Sequence, residues 1–236
     1  MTEIKETVEF VIKELEKAFD PKRFEMARGN YPTSQKLIGV RVPDLKIILK
    51  ALKSGFKEVP IEKHIHFAKE LVNTNILECQ HIAYEFLGKN KNVFISLTKK
   101  DVLDLAKNLD NWVSVDTYSG YVAGLAWKEG IISDELIKDW AKSEDRWIRR
   151  VALVCTVPLN TKSSGGKGDT QRTLMVCEML KHDRDDMVVK ALSWALRKLT
   201  SFDKKSAEDF LIQNEDILHN RIKRELKHKL ETGLKN

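Results

Sequence analysis

Apolar side chains recur at helical spacing along nearly the whole chain, and that periodicity is what most limits its possible folds. Between residues 4 and 19, Ile4, Val8, Val11, Ile12, Leu15 and Phe19 recur at helical spacing and form one stripe. Asp20-Pro21 ends it, because the residue before a proline is pushed out of the α region. Gly29-Asn-Tyr-Pro-Thr-Ser reads as a loop. Pro43-Asp44 then opens a helix to about Lys53, with proline at the favoured first position. Further helices are expected at about 60–72, 75–88, 99–108, 111–127, 133–141, 145–155, 171–181, 185–200, 206–213 and 215–231. No alternating strand pattern competes. With only 11 Gly and 5 Pro in 236 residues, the chain lacks the punctuation of an all-β fold. The expected class is all-α.

The helices also repeat. Asp145-Arg-Trp-Ile-Arg-Arg-Val-Ala-Leu aligns with Asp185-Asp-Met-Val-Val-Lys-Ala-Leu-Ser 40 residues later, setting Arg150 on Lys190 and Trp147 on Met187. Glu78-Cys-Gln-His-Ile-Ala echoes Trp147-Ile-Arg-Arg-Val-Ala 69 residues ahead of it, close to two repeat lengths. Such periods belong to HEAT-like and armadillo-like units, whose helix pairs cannot bury their apolar faces alone and therefore stack into a solenoid. The expectation is a single HEAT-like repeat domain over 1–236.

Composition narrows the function classes. Apolar residues make up 42% and charged residues 32%, and no apolar run approaches the roughly 18–20 residues that span a bilayer. Met1-Thr-Glu-Ile-Lys-Glu is acidic and lacks a signal-peptide core, so a cytoplasmic address is expected, of the bacterial type with its nucleoid. Cys79, Cys155 and Cys177 lie far apart in apolar stretches and read as reduced core thiols. His64 and His66 point to different helix faces, and nothing calls for a metal, a cofactor or an obligate oligomer. The net charge of +6 is unevenly spread. Residues 1–139 carry 21 basic and 21 acidic side chains, whereas residues 140–236 carry 20 and 14. An excess concentrated in this way favours a polyanion through counterion release.

Three short stretches could carry chemistry. In Leu109-Asp-Asn-Trp112-Val-Ser-Val-Asp116, Asp110 or Asn111 can cap a helix on which Trp112 and Asp116 share a face. An indole beside a carboxylate suits a cationic target, although a half-buried Trp with a structural Asp is the plainer reading. In Asp145-Arg-Trp147-Ile-Arg149-Arg150, an arginine can hold a phosphate or serve a ladder between repeats. In Lys190-Ala-Leu-Ser-Trp194-Ala-Leu-Arg197, a cation and an aromatic stand four apart, with ordinary core packing the alternative for Trp194. Between the last two lies Thr156-Val-Pro-Leu-Asn-Thr-Lys162-Ser-Ser-Gly-Gly-Lys167-Gly-Asp-Thr170. This insert breaks the helical pattern, and its Ser164-Gly-Gly-Lys turn could close a short β-hairpin near 156–170.

Together, Trp112-x-Ser-Val-Asp116, Trp147-x-x-Arg150 and Lys190-Ala-x-x-Trp194-x-x-Arg197 resemble the signature of the AlkD-like DNA alkylation repair family, over roughly residues 20–231. The resemblance implies a HEAT-like array with double-stranded DNA on a basic concave face, acting as a monomer without cofactor or membrane. It also implies hydrolysis of the N-glycosidic bond of cationic N3- or N7-alkylated purines. By matching position, Trp112 and Trp194 would pack against the deoxyribose at the lesion. Asp116 would sit near C1′ and position the attacking water, and Arg150 would hold a backbone phosphate. Arg149, Lys190, Arg197, Lys162 and Lys167 are the further candidate DNA contacts. This chain departs from the family pattern after Met26-Ala-Arg28, where the expected aromatic is displaced to Tyr31, and in the insert 156–170. Branches with a hairpin inserted in the groove look more like non-catalytic binders of branched or distorted DNA. That is the alternative to a glycosylase, and a protein-interaction scaffold is a third.

Overall fold

The helix boundaries follow from caps that are legible residue by residue. In the computed structural model, which describes residues 2–234, the first unit comprises α1 (Thr2–Lys17), α2 (Pro21–Asn30), α3 (Val42–Gly55), α4 (Ile61–Asn73), α5 (Leu77–Gly88), α6 (Lys91–Phe94), α7 (Lys99–Asp104) and α8 (Trp112–Tyr118). Asp20 ends α1 and also starts α2: its side chain accepts from the Arg23 amide, and Pro21 takes the first helical position. Apolar periodicity does not predict α2, because Ala27 is its one buried residue. Thr98 and Asp101 form a reciprocal capping box on α7.

The chain divides by backbone proximity into two compact units, 1–122 and 123–236, each with its own core. In the first, α5 packs against α3, α4 and α8. Val11, Leu15, Phe67, Leu71, Ile82 and Phe86 are sealed inside it. Two buried phenols fasten the backbone of α7 and its C-cap to this core, Tyr84 donating to the Leu105 carbonyl at 2.7 Å and Tyr118 to that of Val102 at 2.9 Å. The stretch between α2 and α3 is held differently. Buried Glu78, in the first turn of α5, accepts from the amides of Ile38 (3.0 Å), Gly39 (2.7 Å) and Val40 (3.4 Å). Gln35 and Gln80 bond each other beside it at 3.1 Å.

A π-helical segment, Ser119–Ala123, carries the chain onward to α9 (Gly124–Lys128). The expected helix over 111–127 is therefore continuous in helical backbone but loosened by one wide turn, a feature frequent near functional sites. The second unit continues with α10 (Asp134–Ala141), α11 (Arg146–Val154), α12 (Thr156–Leu159), α13 (Thr170–Leu180), α14 (Asp186–Leu199), α15 (Lys204–Gln213) and α16 (Asn220–Thr232). Helix α14 lies at its centre, packed by α11, α13, α15 and α16.

The 40-residue register reappears in three dimensions. Asp145 caps α11 by accepting from the Trp147 amide, and Asp185 caps α14 by accepting from the Met187 amide, both at 2.8 Å. The fold is all-α. Among the described residues the only β-type pairing is two isolated bridges, Phe19 with Val40 and Lys36 with Ile76.

The hairpin expected near 156–170 is not formed. Thr156–Leu159 is a helical turn, Lys162–Ser164 a 3-10 turn, and the segment is folded down rather than projecting. Buried Asn160 donates to the Thr156 carbonyl and the Thr173 hydroxyl, and its own oxygen accepts from the Asp169 amide. Lys128 reaches the Ser164 carbonyl at 2.8 Å. Gly166 passes so close to the chain that a Cβ there would lie 2.3 Å from the Pro158 oxygen, and Gly168, at φ +88°, would press one onto Phe202. These glycines serve close packing and not the expected turn between strands.

Candidate nucleic-acid interface

Trp112 is exposed at the start of α8, and Trp194 is half-buried on the outer stripe of α14. In the first unit, Asn111 caps α8 by accepting from the amides of Val113 and Ser114. The residue before it, Asp110, accepts from the Thr33 hydroxyl and from the amide and hydroxyl of Ser34, each at 2.6 Å. Burial opposes ionisation of Asp110, but these donors prevail and hold its carboxyl below the usual range. The start of α8 is thereby fixed to the chain after α2. Trp112 then stands at the first helical position, 37% exposed, while Ser114, Val115, Thr117 and Tyr118 are buried. Its indole N–H donates to the Asn30 carbonyl at 3.3 Å, and its ring meets Tyr31 edge-on. Asp116, half-buried, follows one helical turn later on the same side of α8 as Trp112.

In the second unit, α14 buries Val188, Val189, Ala191, Leu192, Ala195, Leu196 and Leu199. The remaining stripe carries Lys190, Trp194, Arg197 and Lys198. Trp194 opens onto a cleft of about 290 Å³, together with Arg197, Lys198, Ser201 and Lys229 of α16. Lys190 forms an ion pair with Asp186 at 2.6 Å. Arg197 is anchored, its guanidinium 3.2 Å from Glu225 and also bonded to the Ser193 carbonyl.

The arginines of α11 line the seam with the next repeat. Arg146 reaches Asp185 at 3.5 Å and lies over the Trp147 ring, and Arg149 binds Asp183 at 2.7 Å along with the carbonyls of Ser143 and Glu144. Arg150, only 5% exposed, donates to the Met187 carbonyl. Of the two uses the sequence leaves open for such an arginine, these contacts are of the ladder kind. Lys162 and Lys167 stand exposed on the folded-down insert, the former 5.9 Å from the Phe202 ring.

Thus Trp112 and Asp116 share one helix, while Lys190, Trp194 and Arg197 share another. Sequence reasoning missed Tyr31 as the neighbour of Trp112, and Lys198 and Lys229 as basic neighbours of Trp194. Lys198 could have been found four positions after Trp194, but Lys229 comes from a distant helix and left no local signal. The three cysteines are buried, and burial pushes the Cys79 thiol up to about 12. Among the described residues no group of three His, Cys, Asp or Glu side chains could hold a metal ion, and no helix is long and apolar enough to cross a membrane.

A model of the DNA alkylation repair enzyme family matches residues 11–229. The chain belongs to the DNA alkylation repair enzyme family. Membership gives it a role in the repair of alkylated DNA and, with that, an interaction with DNA. No individual curated protein matches the chain. The matched span of this DNA alkylation repair protein includes Trp112, Trp194 and every basic residue considered above, the insert with Lys162 and Lys167 among them.

Proposed function

We propose that this protein is a DNA glycosylase that hydrolyses the N-glycosidic bond of cationic N3- or N7-alkylated purines in duplex DNA, acting as a monomer built of HEAT-like repeats. The observation that carries the reading is the indole of Trp112, exposed at the start of α8 while Ser114, Val115, Thr117 and Tyr118 are buried, with the half-buried Asp116 carboxylate one turn on.

The chemistry asks little of a protein acid. An alkylated purine already carries a positive charge, so when the C1′–N bond breaks the electron pair neutralises the departing base. The sugar becomes an oxocarbenium ion, water adds its oxygen to C1′ and loses a proton, and an abasic site and a free base result. What the protein must supply is stabilisation of a positive sugar. Asp116 would face the developing charge and orient the water, and Trp112 would present its π face to the same cation. Trp194 would pack on deoxyribose from the second unit. Lys190, Lys162 and Lys167 would bind phosphates, and Arg150, braced on Met187, would present any remaining guanidinium N–H to the backbone together with Arg149 and Arg197. Because bulky rings need not enclose the base, the damaged nucleotide can stay stacked, unlike in enzymes that rotate it into a pocket.

The test is release of free base from methylated duplex DNA at excess protein. Appearance of 3-methyladenine or 7-methylguanine is expected, and none at any excess would end the reading. The alternative, a non-catalytic binder of branched or distorted DNA, needs the insert as a wedge. The fastening of 156–170 through Asn160 and Lys128 weighs against a projecting wedge. A gel-shift preference for junctions that vanished on removing 160–168 would favour it.

A further inference from the structure

The first unit holds 19 basic and 17 acidic side chains, a small excess, yet it gathers lysines around one hollow. A pocket of about 470 Å³ opens where the end of α3, the start of α4, the end of α5 and α6 come together. Lys53, Lys57, Lys89 and Lys91 line it, and no acidic side chain does. Lys89 is paired with Glu85 and lies 5.9 Å from the Tyr121 ring. Among the described residues, Lys53, Lys57 and Lys91 have no carboxylate within ion-pair distance. Burial, and then the charge of Lys89, push the Lys53 ammonium below its ordinary range, with Glu85 opposing.

A buried polar group faces the same hollow. His64 is 4% exposed and lines the pocket, its ring stacked on Phe86 at 5.6 Å and edge-on to Phe56 at 4.9 Å. Nδ1 lies 3.1 Å from the Pro60 carbonyl. A carbonyl only accepts, so Nδ1 carries the hydrogen, and Nε2 has no protein partner among the described residues. Nε2 can accept from a hydrogen phosphate or, once protonated, donate to a phosphate oxygen. Helix α4 adds to the positive field. Its cap residue, Pro60, has no side chain to bond the first-turn amides, and Ile61 forms part of the pocket wall.

We propose that this pocket binds a phosphate group, with the four lysines supplying charge and His64 Nε2 the hydrogen-bond partner. The group would be either a phosphodiester of DNA or the phosphate of a free small molecule, since both present the same oxygens. Every residue of this pocket belongs to the first unit, and phosphate binding there does not depend on base excision.

The test is a nuclear magnetic resonance titration of the full chain with pyrophosphate, run beside a titration with short undamaged duplex DNA. Pyrophosphate is expected to shift the His64 ring and the amides of 61–64 saturably. The double variant Lys53→Gln/Lys91→Gln should weaken it roughly tenfold or more, about one charge-assisted bond. The control pair Lys5→Gln/Lys13→Gln, exposed on α1, should leave it unchanged. If the first pair also lowers duplex affinity and cuts the slope of log K against log salt by about two, the bound group is a DNA phosphodiester. If duplex binding is unchanged while pyrophosphate is lost, the ligand is a free phosphorylated molecule. Absence of saturable shifts at His64, or equal pyrophosphate affinity in the two double variants, would overturn the proposal.

Discussion

Tyr31 stands edge-on to Trp112, with ring centroids 5.5 Å apart and planes at 84°. This arrangement is favoured for aromatic pairs and presents the Tyr31 ring as a stop behind the one indole left open on α8. Tyr31 is 5% exposed and packs with Ala27 and Leu77, so it ties the indole to the core. Tyr31→Ala should cost about 3 kcal/mol of stability, in the range of large-to-small aromatic replacements, and release Trp112 from its position. Tyr31→Phe keeps the ring and should melt near the parent temperature with activity retained. Thermal melting paired with base-release rates separates the two. Equal loss of activity in both variants would contradict a packing role.

Asp116→Asn removes a charge while keeping the shape. If that charge acts on the developing oxocarbenium ion, single-turnover excision should fall on the order of a hundredfold while affinity for methylated duplex changes far less. Parallel losses in rate and binding would instead place Asp116 in the framework.

The lysines of the insert offer a test by salt. Lys162 and Lys167 are exposed, and if each neutralises a phosphate, replacing both with Gln should reduce the slope of log K against log salt by about two. Fluorescence anisotropy on labelled duplex at several salt concentrations measures it. An unchanged slope would remove these lysines from the interface.

Glu85 predicts a stability change in acid. The hydrogen bond from His81 leads in holding its carboxyl down to about 2 against an ordinary 4.5, with Lys89 assisting and burial opposing. The folded-state value lies below the unfolded one. Its contribution is therefore complete above 4.5 and is lost as pH falls through about 2. Melting temperatures of the parent and of Glu85→Gln should differ most near neutrality and converge in acid. A gap independent of pH would show that the ionised carboxylate contributes nothing.

Much of the helical architecture was legible because local signals agreed: Asp145 and Asp185 cap helices where the repeat register places them, and Thr98 with Asp101 mark α7. The failures have physical causes. Asp20-Pro21 carries both a stop and a start, and only the stop was read. The glycines of 165–168 have the local pattern of a strand-linking turn, and nothing local reveals that Gly166 and Gly168 press on Pro158 and Phe202. Trp112 and Trp194 could be picked out by type and spacing. Their neighbours Tyr31 and Lys229 could not, because tertiary packing alone brings them near.

The carboxylate of Glu78 gathers three consecutive amides from a stretch that has no helix of its own. Ordinarily such a connection would breathe freely and its backbone protons would be replaced by solvent deuterium within moments. Here the protons on Ile38, Gly39 and Val40 can leave only when α5 itself lets go, so this loop should exchange on the schedule of the surrounding core.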